Sequence, residues 1–218
     1  MMRIFIGYDE RQPIAVQVLA HSLYARASKP VSIIPLVLSK LPIKRIGLTQ
    51  FTYSRYVVPY LCDYEGTALF LDADMLCLGD VCELDGLATP TASVSVVKNP
   101  RLRFEWPSLM YFNNALCKAL TLPLIETGNP QAFEWASSVG ELPSEWNHLV
   151  NYDTPRRDAK LVHFTQGLPC FKETAGCEYH KEWLYEQKLC NSTVPWSVLM
   201  GVSVHAKPVL DRLAREVA

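Results

Sequence analysis

Asp72 and Asp74 stand one residue apart at the end of an apolar run, Leu69-Phe70-Leu71-Asp72-Ala73-Asp74-Met75. Two carboxylates at the mouth of a buried strand repel each other, and burial penalises both charges. A divalent cation relieves both costs, and hard carboxylate oxygens suit magnesium or manganese. Such an ion can bridge a diphosphate and take up charge as a leaving group departs. The plainer reading makes one Asp a turn cap and the other a solvated charge. The apolar strand in front and the small Ala73 between them favour ligands.

His163 ends a second apolar run, Leu161-Val162-His163-Phe164. Alone, a histidine there fits a packed core as well as a ligand shell. Beside two carboxylates, a neutral imidazole makes a mixed nitrogen and oxygen site, which suits manganese somewhat better than magnesium. Gly167 follows closely and lets the backbone approach a ligand. Near the N-terminus, Tyr8 and Asp9 offer a ring and a carboxylate for a nucleobase, or else a packed ring and a helix N-cap. Arg55 could meet a phosphate or an acid of the site, or be a surface charge. Trp106, Trp135 and Trp146 could stack on a flat ligand face, although core packing is their commoner use.

These residues need elements to hold them. Residues 3–7 read as a short buried strand, and 13–27 as a helix with Pro13 in its first turn and Ile14, Val18, Leu19 and Leu23 at helical spacing. Residues 31–38, 67–71, 91–97, 108–112 and 159–164 read as further strands. Helices are expected over 51–61, with Pro59 a late kink or stop, and over 178–190 and 207–217. Residues 99–107 read as a loop, and 121–151 as an excursion from the sheet. Strands alternating with helices imply an α/β fold with a mainly parallel twisted sheet flanked by helices. Ligands of such sheets sit beyond the carboxyl ends of the strands, where Asp9, Asp72 and Asp74 fall.

The chain has 218 residues, 49% hydrophobic and 20% charged, which suits one folded domain over 1–218 and argues against disorder. A net charge of -1 gives no global pull toward nucleic acid. Seven cysteines, an odd number without zinc-type spacing, read as reduced thiols. The opening residues do not read as a signal peptide and no long apolar run appears, so a cytoplasmic protein without a transmembrane segment is expected.

Together, several segments resemble glycosyltransferase family 8, the group of glycogenin and bacterial galactosyltransferases with the GT-A fold. They are Ile4-Phe5-Ile6-Gly7-Tyr8-Asp9; Phe51-Thr52-Tyr53-Ser54-Arg55-Tyr56-Val57-Val58-Pro59; Leu71-Asp72-Ala73-Asp74; Leu161-Val162-His163-Phe164-Thr165; and Leu142-Pro143-Ser144-Glu145-Trp146-Asn147. The resemblance implies a single GT-A (Rossmann-like) domain, with a donor half over about 1–98 and an acceptor-side half over about 99–218. It implies a nucleoside-diphosphate sugar donor, commonly uridine-based, a carbohydrate or other hydroxyl acceptor, and transfer with retention. It makes Asp72, Asp74 and His163 ligands of Mn2+ or Mg2+, and puts Tyr8, Asp9, Arg55, Ala73, Asn113 and Gly167 at the donor.

The likeness departs at three places. The glycine after His163 is one position late and the usual phosphate-binding lysine is missing. Phe112-Asn113-Asn114-Ala115 stands where the family has Phe-Asn-Ser-Gly. No Asp-Gln-Asp precedes Leu142, which leaves Gln131 and Glu134 as candidates for the residue at the anomeric carbon. Two other readings stand beside this one. The Asp-x-Asp also suits a haloacid dehalogenase-type phosphatase, with the first Asp as nucleophile. The missing lysine suits a catalytically weak nucleotide-sugar-binding protein.

Overall fold

A computed structural model describes residues 1–190 together with Val204, Lys207, Pro208 and Asp211. The helix expected over 207–217 lies mostly outside the described residues.

The strands are β1 Met2–Gly7, β2 Val31–Leu36, β3 Thr67–Leu71, β4 Met75–Cys77, β5 Val94–Val96, β6 Leu109–Asn113, β7 Val139–Glu141, β8 His148–Leu149 and β9 Leu161–His163. The α-helices are α1 Pro13–Arg26, α2 Val58–Leu61, α3 Leu84–Leu87, α4 Leu122–Thr127 and α5 His180–Cys190. Six strands form one sheet in the order β2-β1-β3-β6-β5-β7, and three form a second in the order β4-β9-β8. In the main sheet β1 runs parallel to β2 and β3, and β5 parallel to β7. Only β6 runs against its neighbours. The mainly parallel sheet expected from the sequence is present.

Side-chain alternation divides the main sheet into two faces. Ile4, Ile6, Leu69, Leu71, Leu109 and Tyr111 join one core with α1, the second sheet and Trp183 of α5. Phe5, Ala68, Phe70, Met110 and Phe112 join the other, under Tyr56, Val57, Val58, Ile125 and Trp135. Burying Phe70 and Phe112 stabilises the fold by about 1.5–3 kcal/mol each.

Helix α1 begins at Pro13 as its spacing predicts, and buries Ala15, Val18, Leu19, Ser22 and Leu23. Asp9 is not its N-cap; that position is Gln12, without a side-chain hydrogen bond. Three other expectations are corrected. Residues 51–61 are not one helix but a 3-10 turn, Ser54–Val57, followed by α2. Pro59 lies in the first turn of α2, where its missing N–H costs nothing, rather than ending a helix. The excursion over 121–151 returns to the sheet, because Val139–Glu141 pairs with β5 as an edge strand. β4 and β8, of three and two residues, are too short for a pattern of alternation to declare them.

Candidate metal centre

The site lies where the chain leaves one sheet for the other. β3 ends at Leu71, and the Asp72 N–H extends its ladder by donating to Ser108 O at 2.9 Å. Ala73 points into the core at 4% exposure, which is why a small residue separates the two acids. Asp74 then leads into β4, whose Met75 pairs with His163 of β9. The Phe164 N–H donates to Asp74 O at 2.9 Å and closes the junction. Residues about ninety positions apart are therefore neighbours because β4 and β9 are paired strands.

One ligand atom each from Asp72, Asp74 and His163 lies within 4.8 Å of the other two. His163 Nε2 is 3.3 Å from Asp74 Oδ1. The Arg55 guanidinium is 2.9 Å from Asp72 Oδ1. Even so, Asp72 Oδ1 and Asp74 Oδ1 are buried and accept no well-aligned hydrogen bond. Buried carboxylate oxygens left in this state, with an imidazole beside them, fit a divalent cation.

Burial pushes the Asp72 carboxyl up to about 7, against the lowering effect of Arg55, and Asp74 adds to the rise. Burial pulls the His163 imidazole down, but Asp74, then Asp72 and Glu105, outweigh it and set it at about 8. Glu105, also raised chiefly by burial, has Oε2 3.7 Å from His163 Nδ1. Sequence reasoning passed over Glu105; an acid wedged between Phe104 and Trp106 was the available signal.

A cleft of ≈ 370 Å³ opens over these groups. Its walls include Thr49, Phe51, Arg55, Asp72, Asp74, Glu105, Gln131, Tyr152, His163 and Thr165. That volume falls in the range of small-molecule sites. Arg55, carried by the 3-10 turn, lies near the rings of Phe51 and Phe70, 5.7 and 5.2 Å from their centres. Phe51 can lie there because residue 7 is glycine: a Cβ on Gly7 would come within 2.5 Å of the Phe51 ring.

The other expected residues distribute as follows. Ile6 pairs with Leu71, so Tyr8 and Asp9 leave the sheet beside Asp72. The Asp9 carboxylate accepts from Arg11 Nε at 2.9 Å, and the Arg11 side chain holds its pKa down against burial. Tyr8 packs partly against the core. Gln131 reaches the cleft, whereas Glu134 is exposed and lines an adjoining hollow with Gln131 and Arg103. Gly167 has φ +125° and packs by Phe171, so its backbone freedom serves a turn. Asn113 is not brought to the site. It pairs with Thr67 at the far end of β3, because β6 runs antiparallel, and its amide donates to Pro90 O at 3.0 Å. The same register places Trp106 to Ser108, not Asn113, beside Asp72. Trp135 and Trp146 are core residues, and Trp106 is half-buried, its indole N–H donating to Asn99 O at 3.0 Å.

Known proteins agree with this architecture. The WbbM bifunctional glycosyltransferase superposes with a TM-score of 0.64 at 16% identity, over 91% of this chain and 51% of that one, so this chain spans about half its length. GlyE of Streptococcus pneumoniae TIGR4 gives 0.62 at 15% identity, over 92% of this chain and 63% of that one. The galactosyltransferase LgtC, in complex with donor and acceptor sugar analogues, gives 0.59 at 11% identity, over 90% and 99%. At such identities the likeness is one of fold, and the fold is the GT-A fold of glycosyltransferases. No protein-family model matches the chain. In sequence, Protein CDI of Arabidopsis thaliana is 32% identical over 225 residues, covering 87% of this chain and 87% of that protein. Identity at that level over nearly the whole of both chains places this protein in the family of Protein CDI, built on the GT-A glycosyltransferase fold.

Proposed function

We propose that this protein is a metal-dependent glycosyltransferase. It takes a sugar from a nucleoside-diphosphate donor, uridine-based by the resemblance, and passes it to a hydroxyl acceptor with retention. The observation that carries this reading is the convergence of Asp72, Asp74 and His163 on one small space at the floor of a cleft. These three residues would hold Mn2+ or Mg2+. When bound, the ion supplies charge stabilisation to the departing diphosphate.

The chain's own groups do the rest. Arg55 holds Asp72 in place and presents positive charge at the cleft wall. Phe51 and Tyr152 narrow the cleft and limit water. Tyr8 and Asp9, at the adjoining strand end, would meet the base. Gln131 is the better candidate for the residue at the anomeric carbon, since it lines the cleft and Glu134 does not. The 1–98 half would serve the donor, the 99–218 half the acceptor, within one domain. The dehalogenase-type alternative is not favoured, because its nucleophile would be Asp72, a carboxylate already paired with Arg55 on a GT-A framework.

One observation keeps a weakly active donor-binding protein in view as a second reading. The Arg55 guanidinium, which lines the cleft, is committed to Asp72. Calorimetric titration with a uridine diphosphate sugar, with and without manganese, tests the proposal. Binding should require manganese and be lost in Asp74→Ala. Metal-independent binding would overturn the metal-dependent scheme, and metal-dependent binding without donor turnover would select the second reading.

A further inference from the structure

We propose that Asn147 is a positioning residue that fixes which nitrogen of His163 faces the two aspartates, and so prepares the imidazole as a ligand. The inference rests on the metal reading above. It begins with a short chain of hydrogen bonds behind the site. The Ser108 hydroxyl donates its proton to Glu105 O. What it offers to Asn147 Nδ2, 2.9 Å away, is therefore a lone pair. The amide is thereby oriented: its NH2 end belongs to Ser108, and Oδ1 is left toward His163 Nδ1 at 3.2 Å. An amide oxygen only accepts, so Nδ1 carries a proton. Glu105 Oε2, 3.7 Å from the same nitrogen, is also an acceptor and agrees.

A neutral imidazole has one N–H. With it on Nδ1, the lone pair sits on Nε2, the nitrogen 3.3 Å from Asp74 Oδ1. A lone pair and a carboxylate oxygen facing each other are repulsive, and a cation or a proton between them removes the repulsion. Asn147 and His163 are 4% and 2% exposed, so bulk water is excluded from replacing the amide. The backbone also pins Asn147: its N–H donates to Ser144 O at 3.3 Å, and Trp146 beside it is buried in the core. Partners of this kind commonly change metal affinity 10–100-fold.

The test uses the full chain. In metal-free protein labelled with nitrogen-15 at histidine, taken to the alkaline plateau of the ring signals, the wild-type His163 ring should show a protonated Nδ1 and a pyridine-like Nε2. Asn147→Leu should shift this toward Nε2–H and weaken manganese binding by about 10–100-fold in calorimetry. Asn147→Asp restores an acceptor and should bind manganese within a few-fold of wild type. Ser108→Ala keeps Asn147 but frees its amide to turn, and should give an intermediate loss, so the idea remains testable if Asn147→Leu does not fold. Wild-type His163 found with its proton on Nε2, or unchanged manganese affinity in both Asn147→Leu and Ser108→Ala, would overturn the proposal. Asp74→Ala separates the two readings: if it binds manganese like wild type, the metal assignment itself has failed, whatever the tautomer.

Discussion

At the scale of residues, the site gathers Asp72, Asp74 and His163 in little space, with Arg55 as the counter-charge to Asp72. Asp72 at about 7 and His163 at about 8 both hold protons over part of the neutral range. A divalent cation must displace them, one from each group. Manganese affinity should therefore rise steeply as pH increases through about 7 to 8, with protons released on binding, which calorimetry in buffers of different ionisation enthalpy will count. A flat affinity across that range would remove the coupling. A second residue-scale consequence lies at Gly7. Gly7→Ala forces its Cβ against the Phe51 ring, which lies close to Arg55. A loss of about 1–3 kcal/mol is expected in denaturant titration, as for other overpacked sites. Weaker donor binding should accompany it.

At the scale of elements, short strands do most of the positioning. β4 has three residues and cannot hold its place alone. It is tied to β9 on one side, and on the other Ser22 of α1 accepts from the Cys77 N–H at 3.1 Å while donating to Leu19 O. Ser22→Ala leaves the Cys77 amide buried without that partner and should cost about 1–3 kcal/mol by thermal or chemical unfolding. It should also reduce metal affinity more than an exposed substitution on α1 would. The elements explain what the sequence could and could not announce. β1, α1 and β3 are long enough for their periodicities to show, and the acids at β3's end follow from them. β7 and β8 carry too few residues to have a period, so their pairing became visible only in the assembled sheet. Asn113 was put at the donor by the resemblance alone; β6 runs opposite to β3 and carries it to the far end of that strand. Glu105 and the second hydrogen bond of Asn147 depend on a turn that brings Ser108 against the site, and no local pattern encodes that contact.

At the scale of the whole molecule, α5 is fastened to α1 through a buried acid. Glu186, 1% exposed, accepts from Arg26 at 2.9 Å and contacts His21. Burial pushes its carboxyl up, but the hydrogen bonds from Arg26 and His21 win and hold it below the ordinary 4.5. A carboxyl lowered on folding gives stability that is complete above its unfolded value and fades as pH falls through the folded one. Wild type should thus lose stability on acidification below about 4.5, and Glu186→Gln should lose less in that range. At neutral pH the variant should be less stable by about 1–3 kcal/mol, since Arg26 and His21 keep some access to water. Unfolding curves of both proteins across the acid range check the sign. Among the described residues no helix is long and apolar enough to cross a membrane.

The step from β3 to β4 has a mechanical side. Asp72 hangs from the six-stranded sheet, while Asp74 and His163 belong to the junction with the three-stranded one. An ion gripped by all three would act as a cross-link between two layers that share an apolar core and the Asn147–Ser108 hydrogen bond. Loading the site at about a hundred times its dissociation constant should raise unfolding stability by about 2.7 kcal/mol. Amide exchange should slow most at residues 161–163 of β9, which carries the His163 ligand, and at 148–149 of β8, which pairs with it.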